Sequence, residues 1–535
     1  MLLDYKMRCL PFLQRSQFAL FTCLLCLGGA GVLMSNSVLA EDLTGAGSTH
    51  DHAHNYEKNP WYQQGEQWLQ QKVDALEVLA ASASSQVAKN IILVVGDGMS
   101  ITTLTAARIW QGQQEGQLGE EHFLHFENFP HTALIKTYNT NQQSPDSAGT
   151  MTAIMTGIKT RAGLINIGPE QDRSDCQRSQ QYQQKSLLQW GQNAGFVTGI
   201  VTTARLTHAT PAATYAHSPE RTWESDLMRY PSAYFYGCDS IAKQLIDNGF
   251  SAGLNIALGG GGIMLNSHYD RFKQQYPAGQ LIHSQEQLLQ LDNSSAPILG
   301  VFANSHMDYE IDRRRDSNTQ QPALSLMAEH ALKYLQRQNQ RFLLVVEGAR
   351  IDQAHHKGNA ARALSETAML ADTVARLDEL TADDDTLIIV TADHSHSFVM
   401  AGYPKRGNPI LATSKNQLDE EVLANDGLPY TTLGYANGSA FGRQVRANNS
   451  DTDTDTDVED ENYRQGVAVP LDSATHGSDD VALHAKGPGA YLFSGLMEQH
   501  EIFHTMMQAL GHDTLLLNKT LLNKTKADSL QGEAL

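Results

Sequence analysis

The sequence predicts an α/β protein with a doubly wound, mostly parallel central sheet and helices on both faces. The first observation is Ile91–Val95, an unbroken apolar run closed by Gly96, which is typical of a strand buried on both faces. The second is that amphipathic helical stretches, such as residues 324–338, follow such runs, and this alternation builds a doubly wound sheet. The third is that the apolar runs recur, in residues 195–204, 254–262, 296–304, 341–349 and 385–396.

The N-terminus has the pattern of a secretory signal peptide. Lys6, Arg8 and Arg15 precede an apolar stretch over residues 18–34, and small or apolar residues lead to Ala40. A membrane anchor is the alternative, but the stretch is short for a span and contains three glycines. We expect cleavage near Ala40 and export to the periplasm or the medium. Because the C-terminus is polar, we expect no membrane anchor on the mature chain.

The rest of the chain divides by composition. After residues 1–40, residues 41–87 are polar and then helical, and residues 88–396 carry the first part of the main α/β domain. Residues 397–470 interrupt the strand–helix pattern, and we interpret them as an insertion that folds over one face. Its acidic run, residues 451–461, has the composition of a solvated loop. Residues 471–535 would complete the domain and end in a polar tail.

Charge and cysteine content narrow the function classes. With a net charge of −20, the chain lacks the basic surface that nucleic-acid binding requires. Of its 5 cysteines, only Cys176 and Cys238 lie outside the signal segment, and an even pair in an exported protein predicts one disulfide.

Three predicted strands end in residues that commonly bind metals. Asp97 follows the first run, Glu347 follows another, and a third is followed by Asp393 and His394, then His396. One such acid usually caps the next helix, but ligands in open α/β sheets gather at the carboxyl ends of strands. Three acidic strand ends with a histidine pair therefore favour a metal site.

Two further segments add candidate ligands. Asp352 and His356 are four residues apart and would share one helix face, which is a common way to present two ligands to one metal. His476 lies in a glycine-flanked loop, where a lone histidine usually has no role. Upstream, Thr210 and Arg221 follow another strand, and a guanidinium can grip two oxygens of a phosphate.

The segment "SPDSAGTMTAIMTG", which contains Ser147, has two interpretations. Asp146 or Ser147 could cap a helix formed by "MTAIMTG". Alternatively, Ser147 is a nucleophile at a helix N-terminus that receives an anion. Two metals about 4 Å apart can serve phosphoryl transfer, and a metal-bound serine ionises readily, so the candidate ligands favour the second interpretation.

The chain resembles alkaline phosphatases, and the animal-type branch more than the enteric bacterial one. The resemblance covers about residues 88–512 and rests on several long motifs in family order. These motifs are "VVGDGM", "PDSAGTMTAIMTG", "VTTARLTHATPAATYAH", "VEGARIDQAHH", "VTADHSHSF", "GYPKRGN" and "THGSDDVALHAKGP".

The resemblance implies a metal-dependent hydrolase of small phosphate monoesters that works through a phosphoserine at Ser147. It implies two zinc ions and one magnesium ion per chain, a likeness of residues 397–470 to a crown-like insertion, and a homodimer. Arg221 would clamp the phosphate, Asp146 would orient Arg221, and His208 would lie near magnesium. The implied ligands are Asp352, His356 and His476 for one zinc, Asp97, Asp393 and His394 for the second, and Asp97, Thr210 and Glu347 for magnesium.

Two departures from the family pattern change the expectations. Gln353 stands where animal-type enzymes carry histidine and the enteric type lysine. The animal-type calcium site has an acid after a strand-end phenylalanine and another before a downstream proline. Here Ala303 follows Phe302 and Gln321 precedes the proline, so we expect no calcium site and interpret Asp308, Glu310 and Asp312 as a solvated acidic face.

Other functions remain as alternatives. A sulfatase would carry its nucleophile in a Cys/Ser-x-Pro-x-Arg setting, and Ser147 has neither the proline nor the arginine. In a phosphodiesterase, Arg221 would compete with the second ester group. A secreted binder of metal or phosphate would not need a serine at the helix start.

Overall fold

A computed structural model describes residues 87–291, 294–439 and 457–511. The signal segment with Ala40, nearly all of residues 41–87, most of the acidic run and the polar tail after residue 511 lie outside the described residues.

The described residues contain one large central sheet. Its ten strands follow the order β15-β2-β14-β8-β1-β7-β3-β4-β6-β5, and within it only β14 runs antiparallel to its neighbours. Their bounds are β1 Asn90–Gly96, β2 His131–Lys136, β3 Val197–Arg205, β4 Leu254–Gly260, β5 Gln280–Ile282, β6 Ile298–Val301, β7 Phe342–Gly348, β8 Thr386–Ala392, β14 Val481–Lys486 and β15 Gly495–Glu498.

Helices occupy the connections between these strands. The α-helices are α1 Ile101–Gln114, α2 Ser147–Thr156, α3 Cys176–Ser179, α4 Leu187–Asn193, α5 Ala209–Ala212, α6 Pro231–Tyr236, α7 Ile241–Gln244, α8 Gly262–Leu265, α9 Tyr269–Gln275, α10 Gln285–Leu289, α11 Glu310–Arg315, α12 Leu324–Arg337, α13 Arg350–His356, α14 Ala360–Glu379 and α15 Glu501–Ala509. A π-helix spans Leu245–Phe250, and short 3₁₀ turns lie at His125–Asn128, Gln180–Tyr182, Asp226–Met228, Asn266–His268 and Ala490–Leu492. None of the described helices is both long and apolar enough for a membrane span.

The predicted doubly wound α/β fold is confirmed, and burial explains why its central strands were recognisable. Every residue of β1, β7 and β8 is buried, so these strands read as continuous apolar runs. β2 has one exposed face and an alternating pattern, and it was not predicted. β14 and β15 were also missed, and they extend the same side of the sheet as β2.

Two small sheets lie beside the carboxyl ends of the central strands. β10 (Phe398–Met400), β11 (Leu433–Gly438) and β12 (Val467–Pro470) form one, within the segment interpreted as an insertion. β9 (Ser395–His396) and β13 (His476–Gly477) pair antiparallel, which aligns His396 with His476. His476 therefore lies in a short strand rather than in the predicted loop.

Candidate active site

Ser147 is the first residue of α2 and is almost fully buried. Asp146 caps this helix, and its carboxylate accepts from the Gly149 backbone N–H at 3.1 Å. Gly157 caps the C-terminus of the helix with a φ of 75°, a left-handed conformation that favours glycine. The helix thus begins four residues before the predicted "MTAIMTG" segment. Because Asp146 is the cap, the Ser147 hydroxyl is left available for another role.

The Ser147 hydroxyl faces an acidic, imidazole-containing group at the end of β8. Its Oγ lies 3.2 Å from His394 Nε2. The same His394 nitrogen lies 3.4 Å from Asp97 Oδ1 and 3.4 Å from Asp393 Oδ2. All three partners are fully buried. Donor atoms of Asp97, Asp393 and His394 lie within 4.8 Å of one another, close enough to share one metal ion.

A second group shares Asp97 with the first. Donor atoms of Asp97, Glu347 and His208 also lie within 4.8 Å of one another. The Thr210 side chain is buried near Glu347, and Glu347 Oε2 accepts from the Thr202 hydroxyl. Asp97 is therefore the residue common to two candidate metal positions.

A third group surrounds Asp352 on α13. His356 Nε2 lies 3.3 Å from Asp352 Oδ2, His476 Nε2 lies 3.4 Å from Asp352 Oδ1, and the two imidazole nitrogens are 3.2 Å apart. The helical spacing predicted for Asp352 and His356 is thus present. His396, which was not among the predicted ligands, reaches Asp352 Oδ1 at 3.7 Å. The signal in the sequence was its position two residues after His394.

Backbone carbonyls fix the orientation of three of these histidines. Nδ1 of His356 contacts the Ala474 carbonyl at 2.6 Å, and Nδ1 of His476 contacts the Pro145 carbonyl at 2.7 Å. Nδ1 of His394 contacts its neighbour's carbonyl at 3.1 Å. Because a carbonyl can only accept, each Nδ1 carries the proton, and each Nε2 presents a lone pair to the site.

Arg221 lies at the mouth of the Asp97 group. Its Nη1 donates to Asp146 Oδ2 at 2.9 Å, and its Nη2 lies 3.4 Å from His208 Nε2. Asp146 also accepts from the backbone N–H groups of Gly149 and Gly163. Although burial acts in the opposite direction, the Arg221 charge and these N–H bonds lower the pKa of Asp146. Asp146 thus holds Arg221 as a permanent ion-pair partner.

The carboxylates of the site have too few protein partners for their burial. Burial first, then the charges of Asp393, Asp352 and Glu347, raise the pKa of Asp97 well above its usual value. Burial likewise raises the pKa of Glu347 to about 8. Both oxygens of Asp97, and one oxygen each of Glu347 and Asp352, are buried and have no hydrogen-bond partner among the described residues. Thr210 Oγ1 is unpartnered as well. Oxygen and imidazole donors left in this state fit divalent cations.

Other histidines in these motifs do not join the site. His355 is fully buried, and its ring nitrogens lie 2.9 Å from the hydroxyls of Thr103 and Tyr435. His217 contacts the Gln184 carbonyl at 3.0 Å.

Gln353 and the predicted disulfide occupy positions next to these segments. Gln353 donates to His306 Nδ1 at 2.9 Å and accepts from Arg350. His306 in turn contacts Arg205, and its ring lies 5.4 Å from that of His208. Cys176 and Cys238 are disulfide-bonded, with Cα atoms 5.9 Å apart.

A model of the family described as alkaline phosphatase matches residues 88–512. The chain belongs to the alkaline phosphatase family. It is 38% identical over 482 residues to the tissue-nonspecific isozyme of Rattus norvegicus, covering 85% of this chain and 89% of that protein. It is 36% identical over 471 residues to the alkaline phosphatase of Gadus morhua, covering 83% of this chain and 95% of that protein.

Solved alkaline phosphatases share the fold. The enzyme from the Antarctic bacterium TAB5 matches with a TM-score of 0.56 and 21% identity, over 80% of this chain and 100% of that one. The enzyme from Thermus thermophilus matches with a TM-score of 0.57 and 22% identity, over 80% and 92% of the two chains. By family membership, the chain is a metal-dependent phosphate-monoester hydrolase close to the animal type, which excludes the non-enzymatic binder.

Proposed function

We propose that Ser147 is the residue that receives the phosphoryl group from the substrate and that the three metal groups around it hold two zinc ions and one magnesium ion. The observation that carries this proposal is the position of the Ser147 hydroxyl, 3.2 Å from His394 Nε2 at the N-terminus of α2. A helix N-terminus favours an incoming anion.

The ligand sets follow from the three groups. Asp352, His356 and His476, whose contacts are given above, would hold one zinc, and Asp97, Asp393 and His394 would hold the second. Asp97, Thr210 and Glu347 offer only oxygens, which suits magnesium, and His208 lies beside them. When bound, such ions lower the pKa of bound hydroxyl groups and neutralise the charge on phosphate oxygens. His396, with Nε2 3.7 Å from Asp352 Oδ1, would support the Asp352 group.

The protein's own residues would bind and orient the substrate. Arg221 is held by Asp146 in the partly buried ion pair described above, so its free N–H groups are already oriented to bind phosphate oxygens. Ser147 then attacks phosphorus from the helix end, the ester oxygen leaves, and water later releases the phosphate. The bond between phosphorus and Ser147 Oγ would form as the bond between phosphorus and the ester oxygen breaks, and water would break it in the second step, both within reach of His394.

We further propose that the enzyme is exported after cleavage near Ala40, carries no membrane anchor in its mature form and acts as a homodimer. The disulfide between Cys176 and Cys238 supports an oxidising compartment, because structural disulfides persist there. The animal relatives support the substrate class of small phosphate monoesters.

The test is to trap the intermediate. Purified protein is incubated with radiolabelled phosphate at low pH, quenched and digested. The label should lie on the peptide containing Ser147, disappear in Ser147→Ala, and persist in Ser144→Ala, a matched control whose hydroxyl donates to the His476 carbonyl instead. Metal content should be the same in both variants. Label on another residue would refute the assignment.

A further inference from the structure

His355 joins three segments that meet beside the Asp352 group. It precedes His356 on α13 and is 0% exposed. Its Nε2 lies 2.9 Å from the Thr103 hydroxyl on α1, and its Nδ1 lies 2.9 Å from the Tyr435 hydroxyl on β11 of the insertion. Because a neutral imidazole donates at one nitrogen and accepts at the other, and a hydroxyl can do either, both bonds form in either tautomer. The ring is thus fixed from both sides.

The Thr103 contact leads back to the segment that carries Asp97. Thr103 Oγ1 also lies 2.9 Å from the Ser100 hydroxyl, and Ser100 caps α1 by accepting from the Thr103 backbone N–H at 3.0 Å. Ser100 is three residues after Asp97, which is common to two candidate metal positions. His355 therefore contacts the first turn of the helix that follows this shared residue.

The insertion also contacts the turn that follows α13. The backbone N–H of Gln465 donates to the Gly358 carbonyl at 2.9 Å, and the Gln465 side-chain oxygen accepts from the Ala360 N–H at 2.7 Å. The Asn359 side chain donates to the Glu461 carbonyl at 2.7 Å. The insertion thus holds both the last turn of α13 and the turn beyond it.

The short helix α13 depends on such contacts for its orientation. It has 7 residues, and its N-cap is Ala349, whose side chain cannot accept a hydrogen bond. So short a helix is not stable by itself. Successive residues lie about 100° apart around a helix axis, so the direction of His355 fixes that of His356. Hydrogen bonds are directional and resist rotation of the helix, whereas the apolar packing of Ile351 and Ala354 is not.

A second path from His355 to the site runs through His396. The centres of these two rings are 5.1 Å apart, at an interplanar angle of 32°. His396 Nδ1 accepts from the Ser397 backbone N–H at 3.0 Å, so its proton lies on Nε2, which faces Asp352 Oδ1 at 3.7 Å. His355 therefore packs against the ring that supports the Asp352 carboxylate.

We propose that His355 is a positioning residue, held by Tyr435 of the insertion and Thr103 of α1, that keeps Asp352 and His356 in their zinc-binding orientation. The proposal rests on the proposed assignment of these two residues to one zinc. It gives the insertion a function, which is to slow the loss of the more exposed zinc. The His356 side chain is 35% exposed, whereas the side chains that would hold the second zinc are buried.

The experiment measures zinc release directly. The holoenzyme would be mixed with an excess of a chromogenic zinc chelator, well below its melting temperature, and absorbance would follow the loss of each ion. Tyr435→Phe removes one hydroxyl partner of His355, and Thr103→Val removes the other. Thr103→Ser keeps a hydroxyl at the second position and should restore the behaviour of the parent.

Two further variants assign the result. Tyr463→Phe is the matched control, because the Tyr463 hydroxyl is buried at the end of the same insertion and has no hydrogen-bond partner among the described residues. Asp352→Asn removes a proposed ligand, so the release phase that it abolishes belongs to the zinc of the Asp352 group.

We expect Tyr435→Phe to release one zinc about tenfold faster than the parent. Loss of a bond that orients a metal ligand costs about 10–100-fold in metal affinity, and this hydroxyl acts one contact further out. The faster phase should be the one that is missing in Asp352→Asn. Thr103→Val should act in the same direction, while Thr103→Ser and Tyr463→Phe should release zinc at the rate of the parent.

Two outcomes would overturn the proposal, and they are distinguishable. If Asp352→Asn loses one zinc but Tyr435→Phe and Thr103→Val release zinc like the parent, His355 does not position the ligands and the proposed function stands. A lower melting temperature of these two variants would then mark the contacts as structural only. If Asp352→Asn keeps both zinc ions, the ligand assignment of the proposed function fails first, and the role of His355 fails with it.

Discussion

Two groups of acidic side chains show opposite ways of burying negative charge. At the carboxyl ends of the central strands, Asp97 is 0% exposed, and in the part of the chain that the structure describes neither of its oxygens has a hydrogen-bond partner. In the segment after β6, Glu310 is 4% exposed, yet its oxygens accept from Arg313 at 2.7 and 2.8 Å and from Arg314 at 2.7 Å. Arginine side chains thus donate directly to the Glu310 carboxylate, whereas none donates to the Asp97 carboxylate within the described residues.

The difference corrects one interpretation of the sequence. Asp308, Glu310 and Asp312 do not form a solvated acidic face, because Glu310 is buried and Asp312 pairs with Arg362 at 2.8 Å. Only Asp308 is exposed, and it exchanges two hydrogen bonds of 2.8 Å with Gln321. Acids that their own chain neutralises need no metal, whereas the carboxylates around Asp97 do.

The largest effect should come from removing the carboxylate charge of Asp97. Asp97→Asn removes the residue shared by two metal groups, so we expect kcat to fall by about 10³-fold or more and the metal content to drop. Asp308→Asn, the matched control, should change neither. Steady-state kinetics and elemental analysis of both variants measure the effects. Full metal content in Asp97→Asn would contradict the shared role.

The next largest effect should come from removing Arg221 beside Asp146. Arg221→Ala should raise KM and weaken inhibition by inorganic phosphate in parallel, because each charged hydrogen bond contributes about 1.5–3 kcal/mol. Arg362→Ala removes the cation that pairs with Asp312 in the second acidic group. This change should lower the melting temperature and leave inhibition by phosphate unchanged. If phosphate inhibits Arg221→Ala as strongly as the parent, another residue holds the anion.

A smaller effect is the pH dependence of the metal-free protein. Burial raises the pKa of Glu347 from 4.5 to about 8, so the folded state favours the protonated form. The free energy of unfolding should therefore fall as pH rises from about 4.5 to about 8, by on the order of a few kcal/mol. Denaturant unfolding of the chelated protein measures this, and Glu347→Gln should flatten the slope. An equal slope in both proteins would exclude Glu347 as its source.

The smallest expected effect is an absence. The Gln321 side-chain amide donates a hydrogen bond to the Asp308 carboxylate, and the Ala303 side chain has no oxygen to offer a metal. Calcium should therefore not bind this segment. After zinc and magnesium saturation, micromolar calcium should leave the melting temperature unchanged. A reproducible rise would show that the nearby acids bind calcium. The double variant Ala303→Glu and Gln321→Asp should create a calcium response where the parent has none.

The sequence predicted the parts of the fold whose residues are buried on both faces. Strands such as β1 and β7 are apolar throughout, whereas β2 alternates and β15 is only four residues long, so their pairing depends on distant residues. In the site, motif order brought Asp97, Ser147 and Asp352 to attention. His396 was noted after the strand but not assigned to the Asp352 group, because its contact with Asp352 depends on the pairing of β9 with β13.

The neutralisation of Glu310 was equally invisible to pattern reasoning. Its partners Arg313 and Arg314 are only three and four residues away, but an exposed helix would show the same spacing. Burial decides between a solvated pair and an internal one, and burial of α11 comes from its packing against α14. Local sequence carries no record of that contact.

The central claim is that the buried carboxylates around Asp97 and Asp352 are completed by metal ions. The most direct measurement is elemental analysis of the purified protein, with phosphatase activity before chelation, after chelation and after return of zinc and magnesium. We predict two zinc ions and one magnesium ion per chain, loss of activity with the metals and recovery when both are restored. Full activity in protein stripped of divalent metal would contradict the account.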